Sequence, residues 1–260
     1  MLPARLRPHV FTFYNFARAA DDIADDPELS AQQKIYRLDR YERILLGDDE
    51  RGAGDCVPAL KMRNSLAATG GVPRHCLDLL RAFRQDAAKD RYRDWADLIG
   101  YCRLSAAPVG RYMIDLHGGS HAGYGASDAL CMALQILNHV QDAGDDYDLL
   151  GRVYLPADWM EKAGVNDDVL AGDACTPALR RVLDWTLSGV DGLLADSLSM
   201  TVALKSSRLA LESAIIIAIA RRLRKKLAAA DPLAAHVTLD KWQLAASAAH
   251  GVAAGLAARF

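Results

Sequence analysis

Two acidic stretches decide how this chain folds: Arg18-Ala19-Ala20-Asp21-Asp22-Ile23-Ala24-Asp25-Asp26 near the start and Asn138-His139-Val140-Gln141-Asp142-Ala143-Gly144-Asp145-Asp146 near the middle. Each follows an apolar pattern of helical period. Asp21 and Asp25 are four residues apart, so on a helix they share a face with roughly 6 Å of rise between them. Asp142 and Asp146 repeat that spacing. Carboxylates gathered in this way repel unless cations neutralise them. Hard divalent ions such as Mg2+ take oxygen ligands and bridge carboxylates to phosphates. A pair of such clusters points to a metal-held diphosphate.

Residues upstream of each cluster fit that chemistry. Gln135, Asn138 and Asp142 lie at i, i+3 and i+7, one helical stripe. Arg18 lies one turn before Asp21, where a guanidinium suits an anion held by metals. A lone Asp-rich helix end is more often a solvated surface; the repeated spacing argues for function here.

Working outward, helical signals dominate and no alternating strand run stands out. Pro8 opens a first helix to about residue 26. Ser30 with Gln33 has the form of a capping box. Pro58 opens a third helix, closed by Gly70-Gly71. A fourth runs from about Pro73 or Arg74 to Lys89. Asp94 caps a fifth that reaches His117, kinked at Pro108. Ser127 caps a sixth that ends at the second acidic cluster. Thr176-Pro177 starts a seventh. An eighth covers about Ser207 to Ala229, Pro232 breaks the pattern, and a last helix runs from about Leu239. Long helices with short connections predict an all-α bundle. No Pro/Gly/Ser-rich linker divides residues 1–260, so one domain is expected.

Composition narrows the partners. The chain has 260 residues and a net charge of −2, which argues against general affinity for nucleic acid. Its five Cys form no CxxC pair and read as reduced thiols of a cytoplasmic protein. The longest apolar run, Ala214 to Ala220, is far below the ~20 residues of a membrane span. The basic run after it (Arg221, Arg222, Arg224, Lys225, Lys226) has two readings. It is either a solvated helix end or a patch that touches anionic lipid, placing the protein at the inner face of the membrane. His117 and His121 are separated by two Gly, which disfavours a helical zinc pair. No dinucleotide or phosphate-loop fingerprint occurs.

Taken together, Phe13-Tyr14-Asn15-Phe16-Ala17-Arg18-Ala19-Ala20-Asp21-Asp22-Ile23-Ala24-Asp25 resembles the first aspartate-rich motif of the squalene/phytoene synthase superfamily. The segment from Gln135 to Asp146, with Gly151-Arg152-Val153-Tyr154-Leu155-Pro156, resembles its second motif and tail. Tyr101-Cys102-Arg103-Leu104-Ser105-Ala106-Ala107-Pro108-Val109-Gly110 is similar to the kinked helix between them. In detail, Ser105 to Arg111 and Asp115-Leu116-His117-Gly118 are most similar to the bacterial hydroxysqualene synthases of hopanoid and squalene pathways.

The resemblance implies a class I isoprenoid-synthase fold: an all-α helical bundle around a central apolar cavity, with Mg2+ at its mouth. It implies that Asp21, Asp22 and Asp25, with Asn138, Asp142 and Asp146, hold metal. Arg18, Gln135, Asn138 and Arg152 would meet the diphosphate, with Lys89 and Arg91 as further phosphate contacts. Tyr101 and Tyr154 would lie near the reacting carbons or the diphosphate, and Arg18 would serve catalysis as well as binding. Ala106, Ala107 and Gly110 would leave room for a long isoprenoid chain. The implied substrate is presqualene diphosphate or farnesyl diphosphate, and neighbouring enzymes of squalene synthesis are implied partners. The leading activity is ionisation of presqualene diphosphate and water capture, giving hydroxysqualene. The alternatives are head-to-head prenyl transfer, as in presqualene-, squalene- or phytoene-forming enzymes, and a non-catalytic role.

Two departures from the family pattern stand out. Ala24 occupies a position that is acidic in many squalene synthases. Family members also carry a helix and a polar His/Ser-containing segment before the first motif, whereas about twenty residues precede Asp21 here. The expectation is an open diphosphate site.

Overall fold

The computed structural model describes residues 3–48, 54 and 56–258. The first half runs through α1 (Arg7–Asp25), α2 (Ala31–Leu46), α3 (Val57–Thr69) and α4 (Arg74–Asp86). A two-residue strand, β1 (Arg91–Tyr92), leads into α5 (Trp95–Ser105) and α6 (Ala107–Leu116). Then come α7 (Tyr124–Gln141), α8 (Ala143–Leu150), β2 (Val153–Pro156) and α9 (Ala157–Ala163). The chain closes with α10 (Pro177–Asp196), α11 (Met200–Ala203), α12 (Ser207–Ala229) and α13 (Lys241–Ala257).

Local chemistry sets most of these boundaries. Ser30 and Gln33 form the reciprocal capping box expected of them. Thr176 accepts from the Leu179 amide at 3.1 Å with Pro177 just inside the helix. Asp94 caps α5 through the Asp97 amide, and Asp240 with Gln243 makes a second capping box on α13. Gly47 and Gly70 end α2 and α3 in the left-handed conformation that a Cβ disfavours.

Three expectations need correction. The fifth helix is two helices: α5 stops at Ser105 and α6 restarts at Ala107, with Pro108 in its first turn, where no amide hydrogen is required. Ser127 is not a cap, because α7 starts three residues earlier and Ser127 is buried within it. Gly110 is taken up by helix packing: a Cβ there would sit 2.2 Å from Ser127 Oγ and 2.8 Å from Cys131 Sγ.

Apolar side chains segregate into two clusters. One joins Phe16, Leu38, Met62 and Leu80 of α1 to α4, together with Tyr112. The other is larger and joins Leu98, Ile136, Leu137, Leu183 and Ile217 of the later helices. Helix α4 packs on α1 and α2 on one side and on α5 and α6 on the other, linking the two. Among the described residues no helix is long and apolar enough to cross a membrane.

Candidate active site

The two acidic stretches end on helices from different clusters: Asp21 and Asp25 on α1, and Asp142 and Asp146 at the junction of α7 and α8. Asp142 closes α7 and opens α8, so the second stretch is a break between two helices. Arg152, at the entry to β2, ties the two together. Its Nη1 lies 2.6 Å from Asp25 Oδ1, and its amide donates to the Asp146 carbonyl at 3.0 Å. Its Nη2 donates to the carbonyls of Ala24 and Asp86, both at 3.1 Å. Ala24 is fully buried, with its carbonyl under this guanidinium.

The strand pair positions Arg152 and Tyr154. β1 and β2 run parallel, with Arg91 opposite Val153, and the Val153 amide donates to Asp90 at 2.9 Å. This brings the Tyr154 ring 5.6 Å from both Tyr92 and Tyr101. His139 stacks on Tyr154 at 3.6 Å, and its Nδ1 lies 3.5 Å from Asp146. Gln135 Nε2 stands 3.1 Å from His139 Nε2. The polar stripe of α7 thus reaches the acidic break through a histidine.

At the centre is Asp86, the last residue of α4. Tyr101 Oη donates to its Oδ2 at 2.9 Å and Tyr154 Oη to its Oδ1 at 3.3 Å. Burial pushes this carboxyl up to about 7, against the pull of Arg152 and the two phenols. The aspartate motifs did not reveal Asp86. A signal was present nonetheless: a carboxylate at a helix C-terminus faces the negative end of the dipole, a local mismatch that marks a site worth inspecting.

The anionic clusters are under electrostatic stress. Burial, followed by repulsion from Asp25, raises Asp21 to about 6, although Arg18 pulls it down. Asp142 is raised for the same two reasons, with Asp146 as the like charge. Protein cations relieve part of this. Arg18 pairs with Asp21 at 3.2 Å and Asp22 at 3.0 Å, and His236 lies 3.4 Å from Asp142. Asn138 donates to Asp142. Among the described residues no three His, Cys, Asp or Glu side chains converge as a metal site. The donors are nevertheless all hard oxygens, a set that suits a divalent cation.

Lys89 and Arg91, expected as phosphate contacts, are committed within the chain. Lys89 pairs with Asp97 at 2.7 Å and lies 4.4 Å over the Tyr92 ring. Arg91 pairs with Asp167 and donates to the Gly151 carbonyl at 2.6 Å. The basic side chain placed between the two aspartate clusters is Arg152.

The chain is similar to known proteins over most of its length. A hydroxysqualene synthase from Rhodopseudomonas palustris is 45% identical over 236 residues, 90% of this chain and 79% of that protein. One from Sinorhizobium fredii is 39% identical over 96% of this chain and 83% of that protein. The crystal structure of squalene synthase HpnC from Alicyclobacillus acidocaldarius superposes with a TM-score of 0.70 at 27% identity, covering 98% of this chain and 84% of that one. A dehydrosqualene synthase superposes at 0.78 with 21% identity, covering 97% of this chain and 88% of that one, and shows the same isoprenoid-synthase fold. A family model described as squalene/phytoene synthase matches residues 1–243. With a family model matched over residues 1–243 and a relative 45% identical over 90% of this sequence, the chain belongs to the squalene/phytoene synthase family of enzymes.

Proposed function

We propose that this enzyme converts presqualene diphosphate and water into hydroxysqualene and inorganic diphosphate. The observation that carries this reading is the 45% identity to a hydroxysqualene synthase across 90% of the chain, with both aspartate pairs present. Relatives named phytoene synthase stand further off, at 32% identity over 71% of the chain for the one from Pseudescherichia vulneris.

Asp21, Asp22, Asp25, Asn138, Asp142 and Asp146 would hold Mg2+, which when bound supplies Lewis-acid stabilisation of the leaving diphosphate. Arg18, Gln135 and Arg152 bind and orient that diphosphate. Arg152 can do so only by loosening its contact with Asp25. Lys89 and Arg91 join the diphosphate only by exchanging their present carboxylate partners. Departure of the diphosphate leaves a cyclopropylcarbinyl cation. Tyr101 and Tyr154, packed with Tyr92 and His139, bound a buried, water-poor centre that shields it from bulk water. One water then adds to the rearranged cation and gives up a proton. No hydride is delivered, so the reaction calls for no nicotinamide.

Incubation with presqualene diphosphate and Mg2+ in 18O-labelled water should yield hydroxysqualene carrying one 18O. Farnesyl diphosphate alone should yield none; its conversion to presqualene diphosphate or dehydrosqualene would replace this reading with head-to-head condensation. Asp21→Asn and Asp142→Asn should each lower turnover by at least about a hundredfold with an unchanged circular dichroism spectrum. Near-normal activity in both variants would remove these clusters from the metal site.

A further inference from the structure

Helix α13 is built the wrong way round for a surface helix in water. Its buried residues are Ser247, Gly251 and Gly255, a stripe with an i, i+4, i+8 spacing pressed on α12. A Cβ at Gly251 would meet the α12 backbone, 2.5 Å from Ile215 Cα, so the two helices touch along their main chains. The opposite stripe, at i, i+4, i+7, i+11 and i+14, is Trp242, Ala246, Ala249, Ala253 and Leu256, every one of them exposed. Trp242 is 85% exposed and Leu256 48%. From Trp242 to Ala258 the sequence contains no Asp, Glu, Lys or Arg. A solvent face of this kind calls for a cover.

Charge beside the face identifies that cover. The last turns of α12 and the start of α13 form one groove, lined by Arg222, Lys225, Lys226, Leu239 and Gln243. Arg222, Lys225 and, at the helix start, Lys241 are exposed. Lys241 directly precedes Trp242, and Gln243, one residue on, lines the groove with Arg222 and Lys225, so cations flank the start of α13, the arrangement that seats a helix at the headgroup level of an anionic bilayer. A second copy of the chain fits less well, since a two-fold contact through this face would bring each basic groove near its mate. A mostly apolar cavity of about 270 Å³ opens on the flank between α12 and α13, lined by Ala214, Ile217 and Ala254 with Arg221 and His250.

We infer that α13 and the basic end of α12 form a docking face for an anionic lipid bilayer, with Trp242 and Leu256 entering the acyl boundary and Arg222 and Lys225 meeting the headgroups. This placement depends on the outer face of α13 and not on the identity of the reaction.

The test is flotation of the purified protein with vesicles of phosphatidylcholine, alone or mixed with phosphatidylglycerol. The wild type should float with the anionic vesicles and detach as salt rises from about 0.05 M to about 0.5 M. Trp242→Ser/Leu256→Ser and Arg222→Glu/Lys225→Glu should each weaken partitioning by at least about tenfold. Both should keep the wild-type melting temperature and activity on detergent-dispersed substrate. Because Trp242 and Arg222 are exposed, loss of the fold is not expected, and Trp242 fluorescence in the single variant Leu256→Ser gives a second readout: a blue shift on adding anionic vesicles. The inference is overturned by absence of flotation, by equal flotation of both double variants, or by light scattering that shows a dimer abolished by Trp242→Ser/Leu256→Ser.

Discussion

Asp86 and Asp21 show how single carboxylates in this centre depart from ordinary acids. Asp86 titrates near 7 in the folded chain because burial outweighs its donors, against about 3.9 in an unfolded chain. The folded state therefore keeps a proton that the unfolded state has lost between those values. Its stabilisation is complete below about pH 4 and is lost as pH rises through about 7, a swing of at most a few kcal/mol. Asp86→Asn cannot titrate. The wild-type melting temperature should fall relative to that variant from pH 5 to pH 8, and a parallel pair of curves would show that Asp86 is ionised throughout. Turnover of Asp86→Asn should drop even where its stability is higher, because an amide NH2 replaces one of the two oxygens and so one of Tyr101 and Tyr154 loses the acceptor that orients it. At Asp21, raised to about 6, protons compete with metal for the same oxygens. The acidic limb of kcat/KM should move to lower pH as Mg2+ rises, by up to about one pH unit per tenfold increase for one displaced proton. A limb that stays fixed would mean that Asp21 is not a ligand. The aspartate pairs were legible in the sequence because an i, i+4 repeat is a local pattern. Asp86 was hidden because its partners lie 15 and 68 residues away.

Among elements, the long helices announced themselves, whereas the short helices α8, α9 and α11 and the strands did not. Capping residues such as Ser30, Thr176 and Asp240 act within one turn, so their effect is written beside them. β1 has two residues and β2 four, all of the latter buried, and neither can show an alternating pattern. Yet this strand pair carries Arg152 and Tyr154 into the centre. The restart at Ala107 was only half legible. Pro108 signals a break, but whether a helix bends or stops depends on what packs against it. Here Gly110 admits α7 so closely that Ser127 and Cys131 occupy the place of a side chain. Gly110→Ala should cost about 1–3 kcal/mol through overpacking, although alanine is the better helix former. Ser127→Gly should recover part of that loss, since the nearest clash is with its Oγ. A stabilised Gly110→Ala protein in urea unfolding would show that the α6–α7 contact is looser than described.

At the scale of the whole molecule, the site lies on the seam between the two apolar clusters. Asp21 and Asp25 come with the cluster of α1 to α4, and Asp142 and Asp146 with the later helices. Arg152 crosses the seam to Asp25, and Asp86 crosses it to Tyr101 and Tyr154. A metal-bound diphosphate held by both aspartate pairs would add a further bridge and stabilise the halves against parting. Binding to the native state alone contributes about 2.7 kcal/mol when free ligand exceeds its Kd a hundredfold. For a chain of this size that is a rise of roughly 5–10 °C in melting temperature. Mg2+ with inorganic diphosphate should produce such a rise in the wild type, and either ion alone should produce much less. Asp25→Asn and Asp142→Asn should each abolish most of it, because each leaves the ligand attached to one half only. If one variant kept the full rise while the other lost it, the ligand would sit within a single cluster and the seam would not be the binding site.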